Sequence, residues 1–348
     1  MRYNNLGSTG LLVSELCLGT MTFGGEGPYA VMGDVSQDEA NAQLRAALDA
    51  GVNFVDTANV YSQGRSEEIT GLAVASAGIA RDDVVVATKF FNPMGSGINQ
   101  RGASRAHVFS AIDTSLKRLQ LDHVDLYQIH SFDALTPIEE TLRALDDVVR
   151  SGRVRYIGVS NWAAWQIATA LGISDRHGLH RFVSVQAHYA AATRDIEREI
   201  VPMLDATGLG LLVWSPLSGG FLSGKMLRNL DADKDTRRGR IDFPPVNRDR
   251  AFAVIDAIRP IATAHGVSVA RVALAWVLHQ PTVTSVIIGA KRADQLLDNL
   301  AACDLSLTEE ELAAISAAGA LVEEYPGWMI RLQQERAGRK PRALQDKR

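Results

Sequence analysis

The sequence predicts a single α/β domain with the (β/α)8 architecture of a TIM barrel. Eight short apolar runs, rich in β-branched residues, alternate along the chain with longer segments of helical periodicity. Runs that are apolar throughout are typical of parallel strands covered on both faces, and the alternation favours helices packed against one sheet. Eight such units within 348 residues suit a closed barrel better than an open sheet, and 46% hydrophobic residues suffice for a full core.

The predicted strands and helices follow one another in alternation. Strands are expected at residues 16–19, 53–56, 84–89, 125–130, 156–160, 182–186, 210–215 and 285–289. Helices are expected at residues 37–50, 66–77, 105–119, 138–150, 162–171, 196–206 and 294–303. Side chains that cap helices, some paired with a glutamate three residues later, support several helix starts. These capping signals are Ser36 with Glu39, Ser66, Thr136-Pro137, and Thr308 with Glu311.

Two long connections interrupt the alternation, at residues 91–103 after the third strand and at residues 217–246 after the seventh. Loops of this length in a compact domain are usually functional or disordered. Residues 1–320 are predicted to form the barrel domain, and residues 321–348 a C-terminal extension. The part of the extension after about Ala337 is expected to be unstructured.

Composition argues against several classes of protein. With 40 acidic and 36 basic residues the net charge is −4, so no global field attracts nucleic acid or an anionic membrane. Cys17 and Cys303 are too few for a disulfide framework and show no metal-ligand spacing. No apolar run approaches the roughly 18 residues of a membrane span, and the N-terminus lacks a signal-peptide layout. We therefore expect a cytoplasmic protein that acts on a small molecule, as a monomer or a homo-oligomer, without a metal.

Polar side chains end nearly every predicted strand. In chain order these ends are Gly19-Thr20, Asp56, Lys89, His130, Ser160-Asn161, Gln186, Trp214-Ser215 and Gly289. In a (β/α)8 barrel the carboxyl ends of all eight strands meet at one face, and that face carries the active site. Any one of these residues could be a loop cap, a lysine reaching water or a satisfied core histidine. Ionisable residues at the ends of three consecutive strands favour a functional site.

The residue types indicate the chemistry. Tyr61 follows Asp56 by five residues, in the loop above the second strand and close to Lys89 and His130. A tyrosine is a weak acid because its unperturbed pKa is about 10, but a lysine ammonium about 4 Å away would lower that pKa. Asp56 would keep the lysine charged, and His130 could hydrogen-bond a substrate oxygen. This set has no nucleophile and no metal, so it indicates proton donation to a developing alkoxide, with the hydride supplied by an organic cofactor.

Five groups of residues resemble the signatures of one enzyme superfamily. They are residues 51–61 (GVNFVDTANVY) with Gly64, Ser66-Glu67 and Gly71; 115–116 with 125–130 (DLYQIH); 152–161 (GRVRYIGVSN); 214–217 (WSPL) with Gly219-Gly220 and Gly224-Lys225; and 288–299. Together they resemble the aldo-keto reductase superfamily, near the branch that holds potassium-channel β-subunits and bacterial aldo-keto reductases. The resemblance implies a (β/α)8 barrel in which hydride passes from a reduced nicotinamide, usually NADPH, to an aldehyde or ketone.

The resemblance implies a role for each candidate catalytic residue. Tyr61 would be the general acid, and Lys89 would lower its pKa. Asp56 would hold that lysine, and His130 would orient or polarise the carbonyl. One alternative is a nicotinamide-bound, redox-sensing regulatory subunit with little turnover, but channel β-subunits carry an asparagine where this chain has His130. A second alternative is a dehydrogenase that works mainly in the direction of alcohol oxidation.

The resemblance also implies an NADP site. Ser160, Asn161 and Gln186 would bind the nicotinamide carboxamide, and Trp214 would stack on the ring where many members carry a tyrosine. Further contacts are expected from Gly19, Thr20, Met21, Asp56, Ser215, Pro216, Leu217, Gly219, Lys225, Gly289, Lys291, Gln295, Asp298 and Asn299. The adjacent cations Lys291 and Arg292 favour the 2′-phosphate of NADP(H) over NAD(H). In many members an arginine stands where this chain has Gln295.

The substrate pocket is predicted from aromatic and apolar residues near the strand ends, although each could equally pack in the core or in a loop. The candidates are Phe23, Phe90 and Trp162, followed by Met21, Tyr325 and Trp328. The basic run at residues 237–240 (RRGR) is expected to be a solvated loop, with closure over the cofactor as the alternative.

Overall fold

A closed barrel of eight parallel strands forms the centre of the computed structural model, which describes residues 1–226, 228 and 237–337. The strands described are β1 (Tyr3–Asn5), β2 (Leu12–Ser14), β3 (Leu16–Gly19), β4 (Phe54–Asp56), β5 (Val85–Phe90), β6 (Val124–Ile129), β7 (Val154–Ser160), β8 (Phe182–His188), β9 (Gly210–Trp214) and β10 (Val283–Ile288). Strands β3 to β10 pair in chain order, and β10 pairs with β3 to close the sheet. The predicted barrel is confirmed, and every predicted strand coincides with a barrel strand.

Helices cover the outside of the barrel. In the described residues they are α1 (Gln37–Asp49), α2 (Arg65–Ser76), α3 (Arg105–Leu119), α4 (Ile138–Arg150), α5 (Ala164–His177), α6 (Ile200–Thr207), α7 (Arg237–Arg240), α8 (Arg248–His265), α9 (Val269–Leu278), α10 (Ala293–Leu300), α11 (Glu309–Ala318) and α12 (Gly327–Arg336). Helix α5 begins two residues after the predicted Trp162 and runs six residues further than predicted. Helix α6 begins at Ile200 because Asp195–Glu197 forms a separate 3-10 turn. The segment that forms α9 was not predicted as a helix.

The predicted capping boxes are present. The hydroxyl of Ser36 accepts from the backbone N–H of Glu39, whose carboxylate accepts in return from the backbone N–H of Ser36. The same reciprocal pair joins Thr308 and Glu311 at the start of α11. Helix α4 begins directly after Pro137, as predicted, but without a side-chain cap. Each box satisfies two backbone N–H groups that a helix start would otherwise leave without a partner.

The predicted cap at Ser66 is wrong. Helix α2 begins one residue earlier, after Gly64, which adopts a left-handed conformation with φ of +97°. The hydroxyl of Ser66 instead donates to the backbone oxygen of Thr20, 2.7 Å away at the end of β3. Ser66 therefore ties the start of α2 to the face of the barrel where the strands end.

An N-terminal hairpin, which the sequence pattern did not reveal, contributes to the barrel interior. Strands β1 and β2 pair antiparallel, and the buried side chains of Leu6 and Val13 pack with Phe54 and Leu212 from inside the barrel. Gly7 in the hairpin turn has φ of +59°, and a Cβ there would lie 2.3 Å from the backbone oxygen of Val183. Only a glycine allows the turn to approach the strand so closely.

The described part of the C-terminal extension, residues 321–337, contains the helix α12, none of whose residues is buried. Residues 338–348, where an unstructured tail was predicted, lie outside the described residues, as do residues 227 and 229–236 of the long loop after β9. Within the described ranges no single helix has the length and apolar content of a membrane span; α8 and α9 reach them only as a pair, bent by 102°.

Candidate active site

A cavity of about 1370 Å³ opens at the carboxyl ends of the barrel strands. Every residue predicted to contact the cofactor lines it, and so do Asp56, Tyr61 and His130 of the predicted catalytic set. Lys89 is fully buried behind this wall. The cavity is long enough to reach from Tyr61 to Lys291 and Asn299, which follow β10. Its polar groups thus lie at the barrel face where the alternation of strands and helices predicts an active site.

Lys89 is the centre of the hydrogen-bonded group beneath the cavity. Its Nζ donates to Asp56 Oδ2 at 2.6 Å, to the backbone oxygen of Thr57 at 2.8 Å and to Tyr61 Oη at 3.2 Å. An ammonium has three donors, and here each has an acceptor. The structure therefore brings the predicted phenol, ammonium and carboxylate into direct contact.

The electrostatics keep Lys89 charged. Burial alone would lower the pKa of its ammonium group, but the nearby Asp56 carboxylate and Tyr61 oxygen outweigh burial and raise that pKa above its ordinary value. The lysine side chain is inaccessible to solvent, and that of Asp56 is nearly so. A fixed positive charge in a dry environment thus lies against the Tyr61 hydroxyl, where it favours the phenolate form.

Local backbone geometry places Tyr61 over the strand ends. Tyr61 begins a 3-10 turn in which Ser62 and Gln63 have left-handed φ angles of 46° and 56°. Such a conformation costs a non-glycine residue roughly 1–2 kcal/mol. The turn is held by the hydroxyl of Ser62, which donates to the backbone oxygen of Phe23 at 2.8 Å. The ring of Tyr61 thereby contacts Tyr29 on one side, with centroids 5.5 Å apart, and His130 on another, at 5.8 Å.

His130 follows β6 and presents a neutral imidazole. Burial, with a smaller contribution from the charge of Lys89, lowers the pKa of His130 to about 3. The Nδ2 of Asn92 lies 3.3 Å from His130 Nδ1. Because an amide nitrogen only donates, we assign Nδ1 as the acceptor and Nε2 as the protonated nitrogen. Asn92 was not predicted, although a polar residue at the start of the long loop after β5 was a visible signal.

The residues predicted to bind the carboxamide form a linked row at the ends of β7, β8 and β9. Ser160 Oγ donates to the backbone oxygen of Gln186 at 3.0 Å. Asn161 Nδ2 donates to the backbone oxygen of His130, and its Oδ1 accepts from Trp214 Nε1, both at 3.0 Å. Asn161 has a left-handed φ of 58°. Asn161 thus connects the backbone of His130 to the indole of Trp214.

Trp214 at the end of β9 is bordered by two rings that the sequence did not predict. His188 stacks on it with centroids 4.6 Å apart, and Phe243 lies nearly parallel at 5.9 Å. Phe243 lines the cavity and belongs to the described part of the long loop after β9. The loop therefore contributes to the cavity wall.

The far end of the cavity carries cations and amides. The backbone N–H of Lys291 donates to Gln295 Oε1 at 3.2 Å, and Lys291 Nζ lies 3.4 Å from the backbone oxygen of Val31. Arg292 forms two 2.8 Å hydrogen bonds with Asp294. Lys291 and Arg292 both line the cavity. The two adjacent cations that follow the eighth predicted strand therefore lie at the cavity wall.

The three principal substrate-pocket candidates lie elsewhere, which corrects the prediction. Phe23, Phe90 and Trp162 are buried and do not line the cavity. Phe23 packs in a small apolar cluster with Val35 beside α1, Phe90 stacks on Tyr127, and Trp162 packs against Phe132. Large aromatic residues beside a strand end can pack outward beneath helices as readily as inward.

Of the secondary candidates, Met21 lines the cavity, whereas Tyr325 and Trp328 do not and are exposed. Tyr29, in the 3-10 turn Gly27–Val31, lines the cavity although it was not predicted to do so.

The basic run after β9 is only partly solvated. Arg240 is exposed, but the side chain of Arg238 is 5% exposed and lines the cavity. Arg238 donates to the backbone oxygens of Ser218 and Pro244 at 2.7 and 2.6 Å and pairs with Asp242. The prediction of a solvated loop is therefore wrong for Arg238, which ties the loop together at the cavity wall.

The described residues contain no group of three or more His, Cys, Asp or Glu side chains placed to hold a metal ion. The side chains described above can supply hydrogen bonds and proton transfer along a long cavity. That cavity has small residues at Gly19, Gly219 and Gly289 along its wall. Small residues let an extended ligand approach the backbone closely.

Comparison with known proteins adds an independent observation. The family model described as "Aldo/keto reductase family" matches residues 15–320. A probable voltage-gated potassium channel subunit beta from Oryza sativa subsp. japonica is 41% identical, over 91% of this chain and 96% of that protein. A putative aryl-alcohol dehydrogenase from Schizosaccharomyces pombe is 35% identical, over 89% and 93% respectively. Versiconal hemiacetal acetate reductase from Aspergillus parasiticus is 35% identical, over 90% and 95%.

Proposed function

We propose, because this chain belongs to the aldo/keto reductase family of oxidoreductases, that it reduces an aldehyde or ketone reversibly with NADPH and that Tyr61 donates the proton. The observation that carries the proposal is the contact of Lys89 Nζ with Tyr61 Oη at 3.2 Å and with Asp56 at 2.6 Å. Residues 1–320 would carry the whole reaction, and residues 321–348 would be an extension outside it.

Tyr61 supplies the proton to the carbonyl oxygen as negative charge develops there. The ammonium of Lys89 stabilises the phenolate left on Tyr61, and Asp56 keeps the ammonium in place. Developing a negative charge in a dry site is costly, so a fixed cation that needs no reorganisation is effective here. General acid catalysis of this kind typically contributes about 10²–10⁴-fold to a rate.

His130 would bind the same oxygen without competing for the proton. Its imidazole is neutral across the physiological range because the pKa is lowered to about 3. With Nδ1 accepting from Asn92, Nε2–H is free to donate to a carbonyl oxygen. The histidine would therefore orient and polarise the substrate, and Tyr61 would remain the acid.

The residues around the cavity fit a nicotinamide dinucleotide. Amide groups that could bind a carboxamide lie beside Trp214, and cations that could bind a phosphate lie at the far end. A reduced nicotinamide, when bound, supplies the hydride. Lys291 and Arg292 support a preference for NADPH over NADH, because a 2′-phosphate carries the charge that NADH lacks. Cys17 and Cys303 are free thiols, which fits the cytoplasmic environment that we propose.

The direct test is oxidation of NADPH in the presence of a panel of aromatic and aliphatic aldehydes. We expect turnover with at least one aldehyde and a loss of turnover in Tyr61→Phe. Undiminished NADPH-dependent turnover in Tyr61→Phe would show that Tyr61 is not the acid.

A second candidate is a cofactor-binding regulatory subunit with little turnover. The relatives from Oryza sativa and Arabidopsis thaliana that are named as probable channel β-subunits favour it. His130 disfavours it, because channel β-subunits carry an asparagine there. Tight NADPH binding with no turnover of any aldehyde or alcohol would support this candidate over the enzyme.

A third candidate runs the same chemistry mainly toward alcohol oxidation, as the name of the Schizosaccharomyces pombe relative suggests for that protein. The same residues would serve, with Tyr61 accepting the proton. The ratio of kcat/KM for an alcohol with NADP⁺ to that for its aldehyde with NADPH decides between the two directions.

A further inference from the structure

Gln128 occupies an unusual position for a polar side chain. It lies within β6, two residues before His130, and is inaccessible to solvent. Gly158 on the neighbouring strand β7 is its backbone partner. A Cβ at Gly158 would lie 3.2 Å from Cγ of Gln128 and 2.7 Å from Ser184 Oγ, so the glycine leaves room for the glutamine.

The Gln128 amide joins two other polar groups inside the barrel. Its Nε2 donates to Asp56 Oδ1 at 3.0 Å. Gln186 Nε2 donates to the same carboxylate oxygen at 3.0 Å and lies 3.2 Å from Gln128 Oε1. The three residues come from β4, β6 and β8, which are alternate strands of the barrel. Alternate strands contribute the side chains of one interior layer, so these residues form a polar layer directly below the cavity.

The carboxylate determines the orientation of both amides. An ionised carboxylate only accepts hydrogen bonds, so both glutamines must turn their NH2 groups toward Asp56. The Gln186 NH2 group then has two acceptors, Asp56 Oδ1 and Gln128 Oε1. If Gln186 were rotated by half a turn, its oxygen would face two other oxygens. The amide atom of Gln186 left for a ligand in the cavity is therefore its oxygen.

We propose that Gln128 is a positioning residue, which holds the Asp56 carboxylate and fixes the Gln186 oxygen as the acceptor for the carboxamide N–H of the cofactor. The inference rests on the proposed function, since it requires that a nicotinamide binds in this cavity. Gln128 itself does not line the cavity. It acts through Asp56 and Gln186.

The test measures binding and does not depend on turnover. NADP⁺ and its 3-acetylpyridine analogue, in which a methyl group replaces the carboxamide nitrogen, are titrated against the intrinsic fluorescence of the full chain. The wild type is expected to bind NADP⁺ about fivefold more tightly than the analogue, the value of about one hydrogen bond. Gln128→Met keeps the side-chain volume and removes both amide contacts, so the preference should fall to about twofold or less.

Three further variants make the result interpretable. Gln186→Met should remove the preference altogether. Gln280→Met is the matched control, because Gln280 donates to the backbone oxygen of Trp276 at the end of α9 and does not line the cavity. Its preference should equal that of the wild type. Gln128→Asn shortens the side chain by one methylene and keeps a polar group, so it replaces Gln128→Met if thermal unfolding shows that the latter does not fold.

Each outcome decides between the inference and the function on which it rests. If Gln128→Met retains the preference for NADP⁺ over the analogue, or if the wild type shows no such preference, Gln128 does not have the proposed role. NADP⁺ binding in the same titrations would still support the cofactor site. Failure of the wild type to bind NADP⁺ or NADPH at all would overturn the proposed function, and the role of Gln128 with it.

Discussion

The amine of Lys89 lies 3.2 Å from the hydroxyl of Tyr61, although the two residues stand on different elements and 28 positions apart. Strand β5 carries the lysine inside the barrel, and the left-handed turn after β4 carries the tyrosine above it. Asp56 and the backbone oxygen of Thr57 fill the other two donor directions of the ammonium. These two acceptors hold Lys89 toward the Tyr61 hydroxyl, and they would still hold it in a variant without that hydroxyl.

Tyr61→Phe tests this relationship most directly. We expect kcat to fall by at least ~10²-fold, the lower end for general acid catalysis, with the affinity for NADPH nearly unchanged. Lys89 keeps two of its three acceptors in this variant, so the fold should remain intact. The measurements are initial rates with the best aldehyde and a fluorescence titration with NADPH. Substantial residual turnover would remove Tyr61 from the role of acid.

The Lys89–Asp56 pair gives a separate prediction about stability. Lys89→Met leaves the buried Asp56 carboxylate without its charge partner, which should lower the free energy of unfolding by about 3–5 kcal/mol. Adding Asp56→Asn removes the unpaired charge, so the double variant should regain most of this loss without regaining activity. Urea unfolding of the two single variants and the double variant provides the cycle. Equal stability of Lys89→Met and the double variant would contradict the charge argument.

Much of the fold could be predicted from the sequence because the barrel strands carry a strong and local signal. Runs such as residues 84–87 are apolar throughout, and helices such as α1 begin with a capping box, as at Ser36. The polar strand ends also predicted the cavity wall, since a closed barrel brings every strand end to one face. Asp56 and Lys89 can be grouped on this basis, and Tyr61 by its place in the loop directly after the second strand.

The remaining features depend on contacts between distant segments. The hairpin of β1 and β2 has three-residue strands with little alternation, so it is recognisable only by its packing into the barrel. The outward packing of Phe90 against Tyr127 depends on which face of the strand meets a helix. Gln128 lies within an apolar strand, and only the closed barrel brings it to Asp56. Sequence periodicity carries no information on such pairs.

His130 should remain neutral through the physiological pH range. Because its pKa is lowered to about 3 in the folded chain, against about 6.5 when unperturbed, the unfolded chain binds this proton first as the pH falls. Its contribution to stability is therefore complete above pH 6.5 and is lost progressively between about pH 6.5 and 3. NMR titration should show no change of the His130 resonance between about pH 5 and 8, with His130→Gln providing the assignment. A midpoint near 6.5 would contradict the neutral imidazole.

Two glycines form a matched test of the helix packing. A Cβ at Gly71 in α2 would lie 2.1 Å from the backbone oxygen of Leu119 in α3, so Gly71→Ala should destabilise the protein by about 1–3 kcal/mol. Gly172 in α5 has open space around its Cβ position, and Gly172→Ala should stabilise by roughly 0.5–1 kcal/mol. Thermal and urea unfolding measure both. Opposite signs are the expected result, and destabilisation by both variants would contradict the α2–α3 contact.

The structure leads to different predictions for Lys291 and Arg292, although both line the cavity. Arg292 is already engaged by two hydrogen bonds to Asp294, and Lys291 Nζ lies 3.4 Å from the backbone oxygen of Val31. A 2′-phosphate at Arg292 would have to compete with the Asp294 carboxylate. We expect Lys291→Ala to raise the Kd for NADPH by about tenfold or more and that for NADH by less than about twofold, since a charge-assisted hydrogen bond contributes about 1.5–3 kcal/mol. Arg292→Ala should have the smaller effect on NADPH. Equal weakening of NADPH and NADH by Lys291→Ala would mean that this lysine does not contact the 2′-phosphate.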